Sequence, residues 1–272
     1  MSFKIGFTAE TEPMDNTVIE NTPEQKTETI AKKSVVDVYF PTRNLTCSYY
    51  NDMFDLKCGD LVYVEGKLEG LRGRVVEVNH CFKIKLSDYK RVIGKADVDV
   101  IGEFHLAGSH FITIDGGALN FEQAITWFKA PDLTRDEYVY SNDSNPFNIY
   151  NFEGLDIKRD IAERGEDYYF ENRVVYIELK LGKGRALVQG SKIYEVEFNY
   201  KDEEVWGLVC DCYCAGTCKH EFATMLQLRR TLEIIKLHYP FVNINDYLAV
   251  ISKVKFFEFA IDGNQKGTFT MG

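Results

Sequence analysis

Residues 210–228 read CDCYCAGTCKHEFATMLQL, and this run decides how the carboxy-terminal half of the chain is built. Cys210 and Cys212 form a C-x-C step; five residues further on, Cys218 and His220 form a C-x-H step. Phe222, Met225, Leu228, Leu232 and Ile235 then recur at spacings of three and four, which predicts a helix with one apolar face. Three thiols and one imidazole make a closed tetrahedral donor set, which zinc binds at about 2.3 Å to sulfur and about 2.0 Å to nitrogen. Four protein ligands leave no position for water or substrate, so the expected cofactor is one structural Zn2+ held by Cys210, Cys212, Cys218 and His220. The order suits the chain: a strand, VWGLV, delivers two thiols, Ala215-Gly216-Thr217 turns, and the helix start presents the other two ligands. Lys219 and the positive end of the helix dipole would help hold the thiolates. Cys214 opens an alternative set of Cys212, Cys214, Cys218 and His220. Cys210 is preferred, because the alternative leaves only residues 215–217 to reverse direction.

Upstream, IKRDIAERG has helical spacing at Ile157 and Ile161 and a stop at Gly165. VVYIELKL and IYEVEFNY alternate apolar and polar residues, predicting antiparallel strands turned at GKGR and KDEE. With Cys218-Lys219-His220 and Ala223 in matching places, this region is similar to the SWIM zinc finger family, whose signature is C-x-C, a variable gap and C-x-H before an apolar helix. The similarity extends through ERGEDYYFENRVVYIEL, ALVQGSKIYEVEF and VWGLVCDC, about residues 155 to 236. It implies a bacterial DNA-binding or protein-interaction module and does not separate the two.

From Val35 onward, short β-type runs (VVDVYF, LTCSYY, LVYVEG, RGRVVEV) follow one another, bounded by Gly, Asp and Asn. KCGDLVYVEGKLEGLRGRVVEVN resembles small SH3-like barrels, a fold that does not by itself dictate function. Lys67, Arg72, Arg74, Lys83, Lys85, Lys90 and Arg91 lie near Tyr63, Phe82 and Tyr89. Cations beside rings suit nucleic acid, with phosphates on the cations and bases on the rings. Lys219, Arg229 and Arg230 are further candidate contacts on the zinc unit. Asn120 and Gln123 predict a capped helix over FEQAITWF. Beyond the zinc unit, NINDYLAVISK reads as a short helix and VKFFEFAI with GTFTM as a closing hairpin.

Of the 272 residues 45% are hydrophobic and 14% aromatic, enough for an ordinary core in two compact units. The net charge is −10, but it is unevenly spread. Residues 57–96 carry nine basic against five acidic residues, whereas 130–172 carry four against eleven. The acid-rich segment around Asp156 to Glu171, with the overall negative balance, would suit a basic protein partner. An odd count of seven cysteines, four of them crowded between Cys210 and Cys218, favours metal over disulfides. Cys47, Cys58 and Cys81 are expected to fill core, and His80, His105, His110 and His238 stand alone. No run of about 18 apolar residues and no export signal is read, so a cytoplasmic, membrane-free protein is expected. No P-loop, Gly-x-Ser-x-Gly, H-E-x-x-H or deaminase signature occurs, so no catalytic residue and no small-molecule substrate are assigned.

The expected architecture is α+β, mostly antiparallel: a disordered tail over 1–34 with a docking strand at MSFKIGF, a small barrel over 35–110, and a helix and acidic linker over 111–152. The zinc domain follows over 153–236, and a helix and hairpin over 237–272. The expected function is a non-enzymatic zinc protein associated with nucleic acid, DNA first. The alternative is a protein–protein adaptor with a purely structural metal.

Overall fold

The computed structural model describes residues 3–6, 32–132, 141, 145–240, 242–244, 246–262 and 268–271. In chain order its elements are β1 (Phe3–Gly6), β2 (Ser34–Phe40), β3 (Leu45–Asn51), β4 (Leu61–Val64), β5 (Gly73–Asn79), β6 (Val92–Lys95), β7 (Gly102–Ala107), β8 (His110–Thr113) and α1 (Phe121–Phe128). There follow β9 (Phe147–Asn148), α2 (Arg159–Phe170), β10 (Val174–Lys180), β11 (Lys183–Gln189), β12 (Ile193–Lys201), β13 (Glu204–Cys210), α3 (Lys219–His238), β14 (Tyr247–Ser252), α4 (Lys253–Asp262) and β15 (Thr268–Met271). The strands form a five-stranded sheet, β3-β2-β5-β4-β6, and a ten-stranded sheet, β1-β15-β7-β8-β14-β10-β11-β12-β13-β9. All ladders are antiparallel except β15 with β7, so the fold is mixed α+β with mostly antiparallel pairing.

In the small sheet Val36, Val38 and Phe40 of β2 alternate inward around a core with Val62, Val64, Val75 and Val92. A closed barrel was expected here, and the ladder does not close. The outer strands meet at one bridge, Tyr50 with Arg91, and at one hydrogen bond from Tyr50 N to Lys90 O at 2.9 Å, with no continuous ladder between them among the described residues. β4 and β6 have four residues each, too few to carry a continuous ladder round. The sheet also ends at Lys95; β7, which was expected inside the barrel over 35–110, pairs with β8 in the large sheet.

The large sheet is covered on both faces. Leu248 and Val250 of β14 meet Met225, Leu228 and Leu232 of α3 on one side, while Tyr247, Ala249 and Ile251 meet a core with Trp127 of α1 and Phe256 and Phe259 of α4 on the other. This two-sided burial overturns the reading of the carboxy-terminal segment: YLAVIS is a central strand and KVKFFEFAID is a helix, the reverse of what was expected. A strand buried on both faces shows an unbroken apolar run instead of alternation, and that run mimics a buried helix.

Helix α2 also runs on through Gly165, where a stop was predicted. A Cβ at Gly165 would lie 2.8 Å from Phe222 Cδ1 and 3.2 Å from Lys219 O, so the glycine lets α2 pack close against the start of α3. Helix α1 is as predicted, with Asn120 Oδ1 accepting from Gln123 N at 2.9 Å. Strand β1 pairs with β15, as the docking-strand reading of MSFKIGF requires. The rest of the amino-terminal segment, residues 7–31, lies outside the described residues, as do 133–140 and 142–144 of the acidic linker.

Candidate metal centre

Three elements converge on one point. β13 ends at Cys210, the loop 211–217 carries Cys212 beyond it, and α3 begins from its N-cap, Cys218. The ligand atoms of Cys210, Cys212, Cys218 and His220 all lie within 4.8 Å of one another. Sγ of Cys210 and Sγ of Cys218 are each 3.7 Å from His220 Nδ1. Bonds of about 2.3 Å and 2.0 Å at a tetrahedral angle place sulfur and nitrogen about 3.6 Å apart, so the spacing fits one zinc-sized ion. Cys214 is exposed and is not one of the four grouped donors, so the geometry favours the set with Cys210.

The surroundings prepare these side chains. Cys218 closes a capping box: its Sγ accepts from Glu221 N at 3.5 Å, and Glu221 Oε2 accepts from Cys218 N at 2.6 Å. A buried thiol therefore stands where Ser or Asp usually caps a helix. Hydrogen bonding to Cys210, then burial, pushes the Cys218 thiol far above its ordinary range. Burial pushes Cys212 up to about 12, and burial foremost, then Lys219, lowers His220 to about 4. The imidazole is therefore neutral, as a metal ligand must be. A divalent cation would supply the charge that lets the thiols release their protons.

His220 is oriented by rings. Tyr194 stacks on it with centroids 4.0 Å apart at 17°, and Tyr168 meets it edge-on at 5.4 Å. Nε2 of His220 is buried without a hydrogen-bond partner among the described residues, so ring packing takes over the orienting task that a hydrogen bond usually performs. Gly190 makes room, because a Cβ there would sit 2.8 Å from Tyr194 Cε2. The sequence reading missed Tyr168 and Tyr194. The signal for Tyr194 was the strand register: Val196 pairs with Cys210, which sets Tyr194 alongside the start of the thiol loop. Asp211 is balanced, its Oδ1 accepting from Glu195 N at 2.9 Å and its Oδ2 lying 3.6 Å from Lys192 Nζ.

The predicted basic residues separate into two groups. Lys67, Lys83, Lys85 and Lys90 are exposed on the small sheet. Arg72 is half-buried: Nη1 donates to Trp127 O at 2.7 Å and the guanidinium covers the Phe259 ring at 4.1 Å, joining the small sheet to α1 and α4. Arg91 pairs with Asp52 at 2.5 Å and lies over Tyr50, and Arg74 is half-buried in β5. On the zinc unit, Arg229 donates to Tyr150 O at 3.4 Å, Arg230 pairs with Glu233, and Lys219 lies over Tyr168. Cys58 and Cys81 are exposed, against the expectation that they fill core, because both lie in turns outside the strands. Cys47 is half-buried against the small core. His110 is buried and bonds Val174 O through Nε2 at 2.8 Å. No described helix is long and apolar enough to cross a membrane.

No family model, curated protein or solved structure matches this chain.

Proposed function

We propose that the chain is a non-enzymatic zinc protein of the SWIM type, bacterial and cytoplasmic, whose metal unit and small sheet together bind nucleic acid. The observation that carries the reading is the four-donor group at tetrahedral spacing, on a strand end and a helix start in the order C-x-C then C-x-H. A complete protein ligand set suits a metal that ties α3 to the sheet and does no chemistry. The SH3-like reading of the small sheet draws support from its five short antiparallel strands, whose outer pair meets at the Tyr50–Arg91 bridge. Support for a nucleic-acid partner comes from exposed Lys83, Lys85 and Lys90 beside half-buried Phe82 and Tyr89, with Tyr50 edge-on to Phe82 at 6.2 Å.

The test is a titration of zinc-loaded protein against single-stranded DNA, duplex DNA and RNA at two salt concentrations. Affinity should fall steeply between about 50 and 200 mM salt, and Lys83→Glu with Lys85→Glu should weaken binding without changing the unfolding midpoint. Binding that ignores both salt and these reversals would refute a phosphate-contacting surface. The adaptor reading rests on the acidic residues of α2, including Asp160, Glu163 and Glu166, which present carboxylates to a basic protein. Partners retained from a lysate after nuclease digestion, and released by salt, would favour it.

A further inference from the structure

On the face of the large sheet turned away from α3, β10, β11 and β12 enclose a cleft of about 340 Å3 lined by Glu178, Lys180, Lys183, Arg185, Glu197 and Asn199. Strand register sets these side chains in two rows. Glu178, Arg185 and Glu197 are paired across three strands, and Lys180, Lys183 and Asn199 form the next row, beside the turn at Leu181 and Gly182. That turn has φ of 51° and 78°, the two-residue hairpin geometry that brings its flanking residues face to face.

Two features point to a ligand. First, Lys180 and Lys183 are directly opposed and exposed; neither makes a direct ion pair among the described residues, although the Glu122 carboxylate lies within electrostatic reach of Lys180. Like charges directly opposite one another destabilise a sheet, and an anion between them would relieve that repulsion. Second, the cleft holds a fixed guanidinium. The Glu178 side chain is 2% exposed; its Oε2 accepts from Arg185 Nη2 at 2.8 Å and its Oε1 accepts from Phe121 N at 3.0 Å, while Tyr247 OH, which donates to Leu119 O, lies 3.2 Å from Oε1. Arg185 also lies over the Phe121 ring at 4.1 Å and pairs at the rim with Glu122, whose side chain is 67% exposed. A buried carboxylate is thus committed to aiming one arginine, the preorganisation that oxyanion binding uses. Three cations meet two carboxylates in the lining, and Glu122 at the rim is a third, so Lys180 and Lys183 supply the positive charge that Arg185, held by Glu178 and Glu122, does not.

We propose that this cleft binds a phosphate ester, with the phosphate between Lys180 and Lys183, Arg185 as a fixed donor, the Asn199 amide exchanging its long 3.5 Å contact with Trp206 O for the ligand, and Glu197 accepting from a neighbouring hydroxyl of the same ligand. The phosphate could come from a free sugar phosphate or from a nucleic-acid backbone, and the experiment separates the two. The proposal does not depend on the metal.

The test uses the full zinc-loaded chain, calorimetry and thermal unfolding, with inorganic phosphate, ribose 5-phosphate and oligodeoxythymidylate as probes. Ribose 5-phosphate should bind more tightly than inorganic phosphate, and Glu197→Ala should remove that advantage only. Lys183→Gln should weaken binding about tenfold, and Lys180→Ala with Lys183→Ala about a hundredfold. In low salt without ligand, both lysine variants should unfold at or above the wild-type temperature, because a repulsion has been removed. Lysine-dependent binding of the oligonucleotide alone would assign the site to backbone phosphates. Millimolar phosphate, sugar phosphate and oligonucleotide all failing to bind would overturn the proposal, as would binding that survives both lysine variants or a lowered midpoint in the unliganded variants. Oligonucleotide binding indifferent to these lysines would sink the cleft and leave the nucleic-acid reading standing.

Discussion

Replacing Cys218 with serine or alanine separates two tasks that one thiol performs, ligating the metal and capping α3. Structural zinc contributes roughly 10–16 kcal/mol in small fingers, so one of four ligands corresponds to about 3–4 kcal/mol. An N-cap is worth about 1 kcal/mol, and serine is among the best caps whereas alanine is among the worst. Cys218→Ser should therefore cost about 3–4 kcal/mol with zinc present, and Cys218→Ala about 1 kcal/mol more. In excess chelator the metal contribution vanishes from all three proteins. Wild type and serine variant should then agree within about 1 kcal/mol, with alanine below both by about the value of the cap. The assay is urea unfolding followed by tryptophan fluorescence, since Trp206 lies on the strand that ends at Cys210, with zinc content measured on each sample. A serine variant holding one equivalent of zinc at wild-type stability would refute ligation by Cys218. A deficit equally large in chelator would show that packing, not metal, is lost.

Four further outcomes are expected. Gly165→Ala should destabilise by about 1–3 kcal/mol despite alanine's better helix propensity, because its methyl meets Phe222 and the Lys219 carbonyl; a stabilised variant in urea unfolding would contradict the close helix crossing. Tyr194→Leu should lower zinc affinity about tenfold in a chelator competition by freeing the His220 ring, and unchanged affinity would deny the tyrosine an orienting role. Burial holds His110 at about 4, with Val174 O accepting its proton and Lys253 adding repulsion. Its contribution is complete above about pH 6.5, where the unfolded imidazole is also neutral, and about 3 kcal/mol should be lost as pH falls from there toward 4; His110→Gln should flatten that part of the stability profile. Arg72→Glu should cost on the order of 1–3 kcal/mol by leaving Trp127 O without its donor, whereas Lys67→Glu should be neutral in the same unfolding assay.

The donor set was legible because its spacing is short and its chemistry narrow: Cys210, Cys212, Cys218 and His220 needed only a turn to meet. Strands β10, β12 and β13 were legible too, from VVYIELKL, IYEVEFNY and VWGLV; β11 was not, because GKGR was read as a turn whereas the chain turns at Leu181-Gly182 and Lys183 already begins the strand. Long-range placement was not. YLAVIS gives no alternation once both faces are covered, and Gly165 looks like a stop until Phe222 is seen against it. Arg72 resembled a free phosphate contact because nothing nearby in the chain reveals a partner 55 residues away. Glu178 sits in a strand like any polar residue, and only the fold shows it buried beneath Arg185.

Strand β14 lies between β8 and β10 although more than a hundred residues separate it from β8 in the chain. During synthesis the two flanking edges therefore wait, unpaired and apolar, until residues 247–252 leave the ribosome. The last strand of the central core to emerge is the keystone. A ribosome stalled just short of it would display two open edges able to capture each other's counterparts on neighbouring nascent chains.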